Sequence, residues 1–186
     1  MNKIRLIVVL GMLFTQTACA AEQALSRAPA KAGNFDNGDL CKSLYGRYLP
    51  KGECLSGNCP LQSTLLDVLG TRYPPPGTPF NKGDERYVEI FFGANGNLNA
   101  KVVIGGFITS WEAGGSACDQ GWLKLSRRSE GGAEGNDTRV DITIYLRKNT
   151  EGDLVVFQTV KGRTTNLFGL AQSNIDDQAW IVFKRK

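Results

Sequence analysis

Along residues 139–147 apolar and polar side chains alternate without a break. Val140, Ile142, Ile144 and Leu146 fall on one side, and Arg139, Asp141, Thr143, Tyr145 and Arg147 on the other. Successive side chains of a strand point to opposite faces, so the pattern predicts an antiparallel strand with one face in a core and one in solvent. The turn-forming run 148–152 then predicts a hairpin into a second strand over 153–160, rich in Val and Phe. A second hairpin is predicted from strands at 87–92 and 98–104, joined through Asn95-Gly96, a dipeptide suited to the positive φ angles of a tight turn.

Gly105-Gly106 interrupts what would otherwise run on as a strand through 107–111, as a bend or bulge would. Residues 122–125 and 180–183 supply further strands, and 45–48 and 61–69 carry weaker signals. The last of these is rich in Leu and could instead be a helix. About eight to nine strands joined mostly by hairpins predict an all-β antiparallel meander closing into a small barrel, with a β-sandwich as the alternative. Tyr73-Pro-Pro-Pro-Gly-Thr-Pro-Phe80 reads as a stiff connector before the strand at 87, and no 20–50-residue repeat is present.

The N-terminus follows a different pattern. Lys3 and Arg5 precede an apolar run from Leu6 to Phe14, which leads through Thr15-Gln16-Thr17 to the small residues Ala18-Cys19-Ala20. A charged start, a short apolar stretch and small residues mark a secretion signal over 1–20, too short to be a transmembrane helix. Two processing sites overlap there. Ala18-Cys19-Ala20 fits a cleavage site that leaves Ala21 first, whereas Thr17-Ala18-Cys19 resembles a bacterial lipobox in which Cys19 is lipidated and becomes the first residue. Gln16 stands where that motif usually has an apolar residue. Residues 21–39 are expected to form a flexible tether, and 40–186 a single β-barrel domain. The lipidated form would be an outer-membrane lipoprotein facing the periplasm, because Ala20 differs from the Asp that usually marks retention. The other form would be periplasmic or secreted.

Composition changes this picture in three ways. Of 186 residues none is histidine, which excludes Ser-His-Asp and Cys-His catalysis and histidine-ligated zinc. Removing Lys3 and Arg5 with the signal leaves 20 basic residues against 18 acidic ones, a balance that gives no reason to expect nucleic acid as a partner. Five cysteines occur, and either processing route sets Cys19 apart from Cys41, Cys54, Cys59 and Cys118. In an exported protein these four are expected to form disulfides. A local Cys54–Cys59 bridge with Cys41–Cys118 is favoured, and Cys41 paired with Cys54 or Cys59 is the alternative.

The Gly46-Arg47-Tyr48 segment near the domain start and the basic end Lys184-Arg185-Lys186 resemble the lipocalin-like pattern, which implies a barrel around a small ligand. Tyr45-Gly-Arg-Tyr-Leu-Pro50 followed by a two-cysteine loop also resembles copper-responsive envelope lipoproteins with a barrel. Their C-x-x-C is missing here, so no metal is expected.

Candidate chemistry is sparse. Asp84-Glu85 and Asp176-Asp177 are adjacent in sequence and would point to opposite faces of a strand, so neither forms a carboxylate pair for acid–base work. Glu134 to Asp137 lacks the spacing of a calcium loop. The glycine clusters are not followed by a helix, as a phosphate cradle would require. Trp111, Trp122 and Trp180 are the candidate contacts for a ligand or partner. The expectation is a non-enzymatic cell-envelope protein without a cofactor, binding an envelope protein or a small apolar ligand. The alternative is an inhibitor or immunity-type protein acting on a periplasmic hydrolase through a long loop, 114–120 or 131–137.

Overall fold

A computed structural model describes residues 25–35, 41–59, 64–69, 86–94, 96–104, 107–113, 116–131, 137–166 and 171–186. The secretion signal expected over 1–20 with Cys19, the 73–80 connector, Asn95 of the expected turn and Gly105-Gly106 lie outside them. The strands are β1 (Gly46–Tyr48), β2 (Glu53–Gly57), β3 (Arg86–Phe92), β4 (Leu98–Ile104), β5 (Phe107–Glu112), β6 (Ala117–Asp119), β7 (Trp122–Gly131), β8 (Asp137–Lys148), β9 (Leu154–Asn166) and β10 (Ala171–Phe183). One short helix, α1 (Leu65–Leu69), lies between β2 and β3. The protein is all-β and antiparallel, but its strands do not close into a barrel. They form a four-stranded sheet, β1-β3-β4-β5, and a six-stranded sheet, β2-β10-β9-β8-β7-β6.

The inner faces of the two sheets meet in the main core. Val88 and Ile90 of β3 and Leu98, Ala100 and Val102 of β4 oppose Leu123, Ile144, Leu146, Val156, Ile181 and Phe183 of the larger sheet. The period-two pattern places these side chains on one face of each strand, and their burial is the main stabilising contribution. Helix α1 adds Leu65, Leu66, Val68 and Leu69 to the same core. Its N-terminus is closed by a reciprocal cap, in which the Asp67 amide donates to Thr64 Oγ1 and the Thr64 amide donates to Asp67 Oδ2.

The sheets are joined at one corner. Beyond β10 the chain crosses to β1, where the Leu49 amide donates to the Lys184 carbonyl and the Lys186 amide to the Arg47 carbonyl, both at 2.8–2.9 Å. The basic end 184–186 therefore ties the two sheets together. Cys41–Cys118 and Cys54–Cys59 are disulfide-bonded, with Cα atoms 6.0 Å apart in each pair. The first spans 77 residues and the second 5. By loop-closure entropy they contribute about 4.5 and about 2 kcal/mol respectively.

Three strands extend further than the alternation predicts. Strand β7 continues past residue 125 to Gly131, β9 past 160 to Asn166, and β10 begins at Ala171 rather than near 180. These added lengths are polar on both faces or nearly so, and they carry no apolar period to read. They are held instead by an unbroken antiparallel register, from Asp137↔Thr165 to Lys148↔Leu154 and from Ala171↔Asn166 to Phe183↔Leu154. Strands β2 and β6 were not anticipated, because both are short and mostly exposed.

The solvent face expected on residues 139–147 is also corrected in part. Tyr145 lies on that face yet is only 5% exposed. It belongs to a second core on the outer side of the large sheet, formed with Trp122, Val155, Phe157, Trp180 and Val182. Residues 25–35 cover this face through Leu25, Ala28, Ala32 and Phe35. That stretch falls within 21–39, where a tether was expected. The β8–β9 hairpin holds it: Asn149 Nδ2 donates to the Ala32 carbonyl and the Thr150 amide to the Asn34 carbonyl.

Candidate functional site

Two concavities frame what the molecule could bind. The first lies at the end of the sandwich where the β3–β4 hairpin, the 41–45 segment and the start of β6 converge. Phe92, Tyr45 and Leu123 line it together with the Cys41–Cys118 disulfide, and Gly96 and Ser116 complete the rim. Its volume is about 550 Å³, within the range of small-molecule sites.

Each wall has a local cause. Gly96 has φ +77°, and its amide donates to the Gly93 carbonyl at 2.9 Å, so the hairpin turns tightly beside the opening. Tyr45 is 63% exposed and unusually accessible for an aromatic residue. Its carbonyl accepts from Lys148 Nζ at 3.0 Å, which fixes the 41–45 segment against β8. The Lys148 ammonium is held below the usual lysine range, first by burial and then by the nearby Arg185 cation. Phe92 packs on the main core with part of its ring still open, so the cleft continues the inter-sheet core toward solvent. The described lining offers a hydroxyl and a phenol but no carboxylate, so it is suited to apolar contact with few polar anchors.

The second concavity lies on the outer face of the large sheet, at the end remote from the β8–β9 hairpin. It has a volume of about 500 Å³ and is lined by Arg128, Arg139, Arg163, Glu130 and Asp141, with the amides Gln172 and Asn174. Arg128 Nε contacts Asp141 Oδ1 at 2.8 Å, and Arg139 Nε contacts Asp137 Oδ2 at 3.3 Å. The groove is thus balanced in charge rather than cationic. Gly162 lies in its wall, and a Cβ there would collide with the Arg139 carbonyl oxygen, so glycine is required for β8 to approach β9 this closely.

Trp122 and Trp180 fall away from the apolar cleft. Trp122 and Trp180 are 4% and 7% exposed and meet edge to face, with ring centroids 6.0 Å apart. Phe157 stacks on Trp180 at 4.6 Å and Tyr145 on Phe157 at 5.9 Å, forming a row across β8, β9 and β10. Phe35 closes over Trp122 at 5.3 Å, and the Arg147 guanidinium lies 4.9 Å from the Phe35 ring. The space these rings could offer a ligand is filled by the chain itself. Backbone register sets Trp111 opposite Ala100 in β4.

The cleft residues Tyr45, Phe92 and Leu123 were not singled out from sequence. Each reads as an ordinary strand residue, and only the meeting of three distant segments opens a space among them. Among the described residues no helix is long and apolar enough to cross a membrane, and no group of three or more acidic or cysteine side chains is arranged to hold a metal. The chain matches no protein-family model, and comparison with the curated proteins and with the solved structures found no match.

Proposed function

We propose that this is a non-enzymatic binding protein of the bacterial cell envelope, exported by residues 1–20 and anchored through a lipid on Cys19, that takes a small apolar ligand in the cleft between Tyr45, Phe92 and Leu123. The observation that carries the ligand reading is the apolar lining of an open cleft of about 550 Å³ beside an otherwise filled core. Tyr45 and part of Phe92 leave aromatic surface open at this cleft. Burying one face of a two-ring aromatic molecule against such walls would remove on the order of 100 Å² of apolar surface from water, worth roughly 2–3 kcal/mol before the costs of association. The anchor reading rests on the Thr17-Ala18-Cys19 motif after a charged and apolar leader.

Titration of the protein with N-phenyl-1-naphthylamine, a neutral fluorophore, tests the ligand reading. Saturable enhancement is expected for the wild type. Phe92→Arg should weaken it by about tenfold or more, because a cation would then occupy the apolar wall. Trp180→Phe, buried on the opposite face of the sheet, should leave it unchanged. Equal affinity in Phe92→Arg and the wild type, with both folded by thermal denaturation, would place the probe elsewhere and sink the proposal.

A further inference from the structure

We infer that the anchored protein lies directly on the bilayer, with the outward side of residues 25–35 against anionic phospholipid headgroups. This rests on the lipid-anchor reading of Cys19 and extends it to a particular surface of the domain.

The inference starts from chain length. A free segment from Cys19 to the domain start near residue 40 would span up to about 70 Å when extended, enough to let the domain range far from the membrane. The structure shortens that reach. Leu25, Ala28, Ala32 and Phe35 are packed into the second core, so residues 25–35 move with the domain. Asn149 and Thr150 hold the Ala32 and Asn34 carbonyls from the β8–β9 hairpin. Only five residues then separate Cys19 from Leu25, a maximum of about 20 Å. A lipid on Cys19 would hold Leu25 within that distance of the headgroups.

The chemistry of the covering segment fits the same surface. With Leu25, Ala28, Ala32 and Phe35 turned inward, Ser26, Arg27, Ala30, Lys31 and Asn34 remain exposed. Residues 25–35 contain two cations and no carboxylate. The cationic character is confined to residues 25–35 themselves, since Glu22 precedes the segment and Asp36 follows it. A few basic residues beside a lipid anchor contribute on the order of 1 kcal/mol each on an anionic membrane, an effect that falls off within a Debye length.

Energy transfer from the native tryptophans to dansyl-labelled lipid tests this. The full-length mature protein would be reconstituted in vesicles of phosphatidylethanolamine and phosphatidylglycerol. Strong transfer is expected for the wild type, because Trp122 and Trp180 lie directly beneath residues 25–35. A 20-residue Gly/Ser spacer inserted after Ala21 should reduce transfer on the order of twofold or more. Arg27→Glu with Lys31→Glu should reduce it in anionic vesicles and not in purely zwitterionic ones. Transfer unchanged by the spacer would overturn the inference, as would a charge-reversal effect that is the same in both lipid compositions. The mass of the mature N-terminus separates the two levels. A chain starting at unmodified Ala21 defeats the anchor reading itself, whereas a lipid-bearing Cys19 without a spacer effect defeats only the proposed apposition.

Discussion

Strands β8, β9 and β10 each have two halves that share one backbone and one register but differ in burial. Near the 149–153 hairpin, Ile144, Tyr145, Leu146, Val155, Val156, Phe157, Trp180 and Ile181 are all buried, so consecutive residues are covered whichever face they occupy. Toward the other end, Arg139, Asp141, Lys161, Arg163, Asn174 and Asp176 are exposed, and Val140, Ile142, Val160 and Ile175 are only half-buried. Hydrogen bonding does not distinguish the halves, because the ladder runs through both. What differs is the cover. The near half lies between the small sheet and residues 25–35, whereas no described residue covers the outer face of the far half. A strand is not intrinsically amphipathic or buried. It becomes so according to what packs on each side.

The largest expected effect is in the near half. Phe157→Ala should lower the unfolding free energy by about 3–5 kcal/mol in urea denaturation, since it empties a fully buried site between two aromatic rings. Val160→Ala, three residues along the same strand, should cost about 1 kcal/mol or less. Equal losses at the two positions would contradict the difference in cover.

Asn149→Ala tests whether the 25–35 segment creates that difference. Asn149 is 5% exposed, and its side chain joins the Ala32 carbonyl to the Asp153 amide. Its loss should cost about 1–3 kcal/mol, by leaving buried backbone groups without partners. Limited proteolysis should then cut within 25–35 faster than in the wild type. A stable variant with unaltered proteolysis would show that apolar contact alone retains the segment.

Gly162→Ala probes an exception within the far half. The position is half-buried, yet the added Cβ would meet the Arg139 carbonyl, and a loss of about 1–3 kcal/mol is expected. Arg128→Ala in the same region should change stability by no more than about 0.5 kcal/mol. Its partner Asp141 is as exposed as Arg128 itself, and water screens the pair.

The corner where the sheets join gives a pH test. Tyr48 is fully buried and donates to the Leu44 carbonyl at 2.9 Å. Burial pushes its phenol well above the usual range, partly offset by the Arg185 cation. A group whose pKa is raised on folding contributes stability that is complete below its unfolded value, near 10, and is lost as pH rises toward the folded value. The thermal midpoint should therefore fall above about pH 10. Tyr48→Phe should make that fall shallower while costing a hydrogen bond at neutral pH. An identical alkaline profile in the variant would assign the loss to other groups, such as Lys184, which Asp153 holds above the usual lysine range.

Much of the fold was legible in the chain. The strand over 139–147, the 148–152 hairpin and the pairing of 87–92 with 98–104 follow from local patterns that tertiary contacts reinforce. The barrel was not confirmed. Strand count constrains the number of edges but not their pairing, and pairing is set by contacts remote in sequence, such as residues 184–186 with β1. The candidate site was scarcely legible. Trp122 and Trp180 attracted attention as large aromatics, but they pack under residues 25–35, while the cleft is built from Tyr45, Phe92, Leu123 and a disulfide drawn from three parts of the chain.

The sequence by itself determined the all-β class through period-two alternation and the absence of histidine chemistry through composition. These are one-dimensional properties that need no knowledge of neighbours. Only the tertiary structure decided that two sheets stack without closing, that a segment expected to swing free is instead packed on the outer face, and that an apolar cleft opens beside Cys41–Cys118. Those features depend on which distant surfaces meet, and the free energy of burial belongs to the pair of surfaces rather than to either one alone.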